Sequence, residues 1–422
     1  MLRSSWEVVE AEGYGDREAR RTIMKKKILI AYTFMMIGGS TTSLISILQN
    51  IDYSRYDIDL LLMKRGFPLD KLVPPGVKVL EAALPFKSKR EELMTKALKP
   101  NALLGIIKSR ILPYFMKKYY RGAVKSQLVA KVNANLSRKI AQEYDCAIAF
   151  IEGWPTEYVA NYVEASKKIA WYHLDYIAAG FNPKYDIKPY YKYNSIVLVS
   201  DKCKENFDKV FTQYAYKSLC IENILSKEYI ERMASAYKQE QIEAEGDVLN
   251  LVTVCRLSFN HKGIDRGVLA LARLMNENQL KRGFKWYIIG DGEDKIELEK
   301  MITEVGLSDC IYLLGAMNNP LPYVKSADIF FLPSRFEGKP MAVTEAQMCG
   351  IPVLVTNYAS AKMQVQTGID GLIVANDDGG VAEGLKTVIN NPELVLQFKK
   401  NVMNMDYSNV VEIKKIEGLI NE

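Results

Sequence analysis

Histidine is nearly missing from this chain of 422 residues: His173 and His261 are the only two. Six cysteines stand singly at Cys146, Cys203, Cys220, Cys255, Cys310 and Cys349, with no C-x-x-C pair. A zinc site built from His and Cys is therefore not expected, and no metal ligand set is assigned. Solitary cysteines inside apolar runs fit a reduced, cytoplasmic protein. Long apolar runs are lacking too. The nearest candidate, Ala102 to Phe115, is broken by Lys108, Arg110 and Pro113, so no membrane-spanning helix is expected. No strand-like run is followed by G-x-G-x-x-G or by a Walker P-loop, which argues against dinucleotide and triphosphate binding. Residues 1–23 are rich in Glu, Arg and Gly and lack the apolar centre of a secretory signal; they are expected to be a loosely attached extension.

From Met24 onward, short β-branched runs alternate with longer helical stretches, as in parallel sheets with crossover helices. One set of strands is expected at Lys27–Tyr32, Asp57–Met63, Val77–Leu80, Cys146–Phe150, Lys168–Tyr172 and Ile196–Val199. A second set is expected at Leu249–Cys255, Lys285–Ile289, Ile311–Leu314, Ile329–Leu332, Val353–Thr356 and Leu372–Val374. The fold class is α/β, with two Rossmann-like doubly wound domains facing a cleft. The expected divisions are 24–225, a polar linker at 226–247, 248–403, and a C-terminal helix within 404–422 that returns to the first domain. Ligands of such sheets sit beyond the carboxyl ends of the strands, so function should gather in the strand-to-helix loops.

Four loops carry candidate chemistry. Glu337 and Glu345 bracket a helix start at Gly338-Lys339-Pro340-Met341-Ala342, whose free N–H groups and dipole suit phosphate oxygens. Arg256 and Lys262 follow the first strand of the second set; two cations there can neutralise a diphosphate leaving group, although such a pair also reads as solvated surface. Gly38-Gly39 follows the first strand, with Ser40 as a candidate helix cap. His173, at the end of another first-domain strand, is a candidate sugar contact. Asp175 would orient it or bind acceptor hydroxyls.

Together these residues resemble the family 4 retaining glycosyltransferases of GT-B architecture, the glycosyl transferases group 1. The resemblance runs from about Met24 onward and is most specific in the second half. It is carried by Arg256 with Lys262-Gly263, Ile289-Gly290-Asp291-Gly292-Glu293, Leu314-Gly315, Ala327 to Ser334, Glu337 to Glu345, Gly350-Ile351-Pro352-Val353 and Gly368 to Leu372. It implies a nucleotide-diphosphate sugar, UDP-linked by preference, as co-substrate and no metal cofactor. Arg256 and Lys262 would hold the diphosphate, Glu337 the sugar, Glu345 the ribose, and the Leu314 to Ala316 backbone the base. Gly290, Pro340, Met341 and Ala342 would complete the donor site, with Gly38, Gly39 and His173 facing it from the first domain. By the same resemblance His173, Glu337, Arg256 and Lys262 form the catalytic set. Many relatives carry an aromatic residue at the place of Lys339, glycine at Pro340, and glycines where Ala359-Ser360-Ala361-Lys362 stands, so the sugar cannot be borrowed from them. Glu337 to Pro340 and Ser360 to Lys362 resemble a subset that assembles bacterial surface polysaccharides.

From Lys87 to Lys139, fourteen Lys and Arg face only Glu91 and Glu92, a local excess of twelve positive charges in a chain whose total is +6. Apolar and aromatic residues are interleaved. This composition suits an anionic membrane surface, though it also reads as a solvated face; no nucleic-acid motif accompanies it. The expected acceptor is a glycan or a polyprenyl-linked sugar at the inner face of the cytoplasmic membrane. Two other functions fit the same fold, a sugar-nucleotide epimerase and a non-catalytic glycan-binding relative.

Overall fold

The computed structural model describes residues 25–36, 38–82, 122–236, 242 and 246–422. The expected extension 1–23, residues 87–121 of the basic segment and most of 237–245 lie outside them.

The first lobe is a parallel sheet of seven strands: β1 (Lys26–Tyr32), β2 (Tyr56–Leu62), β3 (Lys78–Glu81), β4 (Tyr144–Ala149), β5 (Ala165–Tyr172), β6 (Ser195–Leu198) and β7 (Ser218–Cys220). Their order is β3-β2-β1-β4-β5-β6-β7. Runs such as Ile28 to Tyr32 and Ile58 to Leu62 are apolar at consecutive positions because helices cover both faces of such a sheet. Ile28 pairs with Ile58 on one side and Cys146 on the other, so β1 sits at the centre.

The second lobe repeats the design with six strands: β8 (Val248–Val254), β9 (Gly283–Ile289), β10 (Ile311–Gly315), β11 (Ile329–Leu332), β12 (Val353–Thr356) and β13 (Gly371–Val374). The order is β10-β9-β8-β11-β12-β13. Trp286 fills its centre, packed on Phe331 and donating from Nε1 to Thr253 Oγ1 at 2.8 Å. In each lobe the strand order reverses at the central pair, β1 with β4 and β8 with β11. At such a switch point the two following loops part and leave a crevice.

Two connections differ from the expected plan. The stretch at Ser226, expected as a polar, helix-prone linker, opens with the helix Lys227–Ala234, but its Tyr229, Ile230 and Met233 belong to the first lobe's core. Its polar side is what the composition displayed; the buried stripe is every third or fourth residue. The tail, expected as one helix, is a 3-10 turn Val410–Glu412 followed by the helix Ile413–Asn421. That helix buries Ile413, Ile416, Leu419 and Ile420 against the first lobe, and Lys26 Nζ donates to the Ile420 carbonyl at 3.2 Å.

Candidate active site

Residues from both lobes line a cavity of about 490 Å³, among them His173, Asn223, Glu337, Lys339 and Met341. A second cavity of about 280 Å³ shares Phe336, Glu337 and Gly338 with it and takes in Arg256 and Lys262. The loops after β8 and β11 thus meet at the second lobe's switch point, and the loop after β5 faces them across the cleft.

Lys262 and Glu337 form the centre. Lys262 Nζ lies 2.5 Å from Glu337 Oε1, and Ser334 Oγ donates to the same oxygen at 2.7 Å. Glu337 is buried, so this cation and hydroxyl replace the water its carboxylate gave up. Arg256 is exposed and leans on Glu293, with Nη2 and Nε 2.7 and 3.1 Å from one carboxylate oxygen. The pair holds Arg256 beside the cavity while leaving its charge reachable.

Glu345, about one turn into the helix Met341–Met348, makes no hydrogen bond or ion pair through its side chain among the described residues, and burial pushes its carboxyl up to about 7. Pro340 stands one residue before that helix, with its carbonyl bonded by Gln364 Nε2 at 3.1 Å. No side chain caps the helix, so the N–H groups of Met341 and Ala342 are left for a ligand. Gln364 also donates to Thr344 and braces the helix from the wall of the larger cavity.

On the first-lobe side, His173 Nε2 lies 2.9 Å from the Phe150 carbonyl, which fixes the proton on Nε2 and leaves Nδ1 as an acceptor. Burial holds its pKa down to about 4, with smaller opposing effects from Phe150 and the nearby Asn223, so the ring is neutral at pH 7. Nδ1 itself is buried and makes no bond of hydrogen-bond geometry. Asp175 does not orient His173: its oxygens accept from Ile177 N, Ala178 N and Asn206 Nδ2, shaping the loop. Asp175 still lines the larger cavity.

Gly39 brings the lobes together, since a Cβ there would sit 2.4 Å from Met341 Sδ. Gly38 is extended and faces open space, so nothing local requires glycine there. Ser40 does not cap the following helix; its hydroxyl is 2.7 Å from Tyr32 OH, and the helix Gly39–Asn50 starts uncapped. Gly290 has φ +150° and presses on Cys255, whose carbonyl would lie 1.8 Å from a Cβ. That approach sets the Glu293 loop beside Arg256. Leu314 is half-buried at the end of β10 and Ala316 is exposed just beyond it, on the far side of Gly290, whose N–H donates to Gly315 at 2.9 Å.

Sequence reading missed the ion pair between Lys339 and Glu222, which joins the lobes across the larger cavity. It also missed Ser334, Asn223 and Gln364. Only the departure at Lys339 signalled anything, because the partners come from distant elements.

Residues 219–405 match the family model for glycosyl transferases group 1. A UDP-galactose:GlcNAc-diphosphoundecaprenol α-1,3-galactosyltransferase of Escherichia coli is 32% identical over 35% of this chain and 39% of its own. A diphospho-undecaprenol 4-α-N-acetylgalactosaminyltransferase of Campylobacter jejuni is 33% identical over 29% of this chain and 34% of its own. The chain thus spans less than half the length of these curated relatives. The fold of Anabaena HepE, solved with UDP and glucose, superposes with a TM-score of 0.60 at 17% identity, over 94% of this chain and all of that one. The two facing Rossmann-like lobes thus share the GT-B fold of that structure, and residues 219–405 are similar to the glycosyl transferases group 1.

Proposed function

We propose that this protein is a family 4 retaining glycosyltransferase that needs no metal and moves a sugar from a nucleotide-diphosphate donor, UDP-linked by preference, to a glycan or polyprenyl-linked acceptor in bacterial surface-polysaccharide synthesis. It would work from the cytoplasm at the inner face of the membrane. The observation that carries this reading is the convergence of Arg256, the Lys262–Glu337 pair and the uncapped start of Met341–Met348 on two adjoining cavities, the larger of which lies between the lobes. Two fixed cations and free N–H groups match the charge that grows on a departing diphosphate.

In this reading the bond between the sugar C1 and the β-phosphate oxygen breaks while the acceptor oxygen bonds to C1 on the same face. The acceptor's proton passes to the departing phosphate oxygen. Lys262 and Arg256 stabilise that oxygen and its neighbours, and Glu337, held by Lys262 and Ser334, accepts from sugar hydroxyls. Neutral His173 lines the cavity beside the same sugar, and Glu345 accepts the ribose hydroxyls. The relatives named above include enzymes acting on diphosphoundecaprenol-linked sugars, which supports a lipid-linked acceptor.

The test is UDP release from a panel of UDP-sugars, with EDTA present and short-chain polyprenyl-diphosphate sugars as acceptors. Turnover with EDTA and a product of unchanged anomeric configuration are expected. Turnover that depends on divalent metal, or an inverted product, overturns the reading.

A further inference from the structure

On the first lobe, the helix Pro183–Tyr191 and the residue after it expose Lys184, Ile187, Lys188, Tyr191 and Lys192. Their spacing places all five on one stripe. The stripe carries no acid: Asp186, the helix's only carboxylate, turns inward to Tyr176 OH and Gln127 Nε2. Tyr191 is 77% exposed and Ile187 39%. Tyr216 lies beside them, 84% exposed, on the 3-10 turn Thr212–Lys217. Lys217 ties this turn to the helix end by donating to the Tyr190 and Tyr193 carbonyls. Lys184 and Lys188 have no ion pair among the described residues, and Lys192 reaches only the Asn161 amide oxygen at 2.8 Å.

We propose that this stripe docks the protein on an anionic lipid bilayer. Three exposed lysines, none in an ion pair among the described residues, complement a negative surface, while Ile187, Tyr191 and Tyr216 supply an aliphatic side chain and amphipathic rings suited to the headgroup boundary. A polyanion in water would reward the lysines but leave the apolar residues without a role. The stripe also lies next to the helix Gly122–Leu136, which is bound to Asn182 and Asp186 through Gln127. The loop that enters the stripe exposes Leu174 and Ile177 and lines the larger cavity with Leu174 and Ala178. A bilayer on this face would sit beside the mouth of the cleft, where a lipid-linked acceptor must enter. The placement of the acceptor rests on the function proposed above; bilayer binding does not.

The experiment is flotation of the full chain with vesicles of phosphatidylcholine alone or mixed with phosphatidylglycerol. Wild type is compared with the triple variant Lys184→Gln, Lys188→Gln, Lys192→Gln and the double variant Tyr191→Ser, Tyr216→Ser. All changes are on the surface, and equal melting temperatures would establish that the variants fold. Wild type should bind only the anionic vesicles, more weakly as salt rises. At roughly fivefold per lysine, the triple variant should bind on the order of 100-fold more weakly, and the double variant should also lose binding. Unchanged nucleotide binding in both variants would separate this surface from the cleft. Failure of wild type to float, equal flotation of the triple variant, or loss confined to heparin binding would overturn the proposal, without touching the glycosyltransferase reading.

Discussion

Glu345 stands at about 7, against an ordinary 4.5, because burial penalises its charged form. Between those values the unfolded chain has released a proton that the folded protein keeps. Stability therefore falls as pH rises through this window, and the penalty is complete above pH 7. Glu345→Gln should raise the melting temperature at pH 8 by the equivalent of roughly 2–3 kcal/mol and by much less at pH 5, as thermal denaturation at both pH values would read. If the carboxylate receives the ribose hydroxyls, donor affinity should drop as pH falls below 7, which a calorimetric titration of UDP at pH 6 and 8 would register. Lys262→Ala leaves Glu337 buried without its cation and should cost about 3 kcal/mol in urea denaturation. Arg256→Ala touches only an exposed pair and should leave stability unchanged while weakening nucleotide binding. These side chains were legible in the sequence because each lies in, or in the first turns of the helix after, a strand-to-helix connection. Their partners were not: Ser334 braces Glu337, and Phe150 sets the His173 proton, through contacts that only packing creates.

The strands were the most legible elements, since a parallel sheet covered on both faces demands short, continuous β-branched runs. Ile329–Leu332 and Val353–Thr356 fall on the expected residues, and the others shift by three residues at most. β7 escaped notice because Ser218–Cys220 is three residues at a sheet edge, too short for a pattern. The helical tendency after Ser226 was legible, but the charged outer face of Lys227–Ala234 hid that its other side joins the first lobe's core. Turns carry their own requirements, and Gly290 is the strictest, with a left-handed backbone and the Cys255 carbonyl against its α-carbon. Gly290→Ala should abolish soluble folding or cost several kcal/mol, as expression and circular dichroism would reveal. Ile416→Ala, in the returning C-terminal helix, should cost about 2–5 kcal/mol in urea denaturation, because its side chain is part of the first lobe's core.

The two lobes are joined by more than covalent connections. The C-terminal helix lies in the first lobe's core, Gly39 touches Met341, and Lys339 pairs with Glu222. Such contacts link residues more than a hundred positions apart, so no local pattern announces them. Their common result is a cleft in which first-lobe His173 and second-lobe Glu337 line one cavity. The account's central claim is that this cleft holds a nucleotide diphosphate through Arg256 and Glu345. It is tested most directly by the melting temperature of wild type, Arg256→Ala and Glu345→Ala with UDP, GDP, ADP and their sugar conjugates, EDTA present throughout. Ligand that binds only the folded state raises that temperature by mass action. The account predicts a rise with the uridine compounds in wild type that is lost in both variants. No rise with any nucleotide in folded wild-type protein, or an equal rise in the variants, would contradict it.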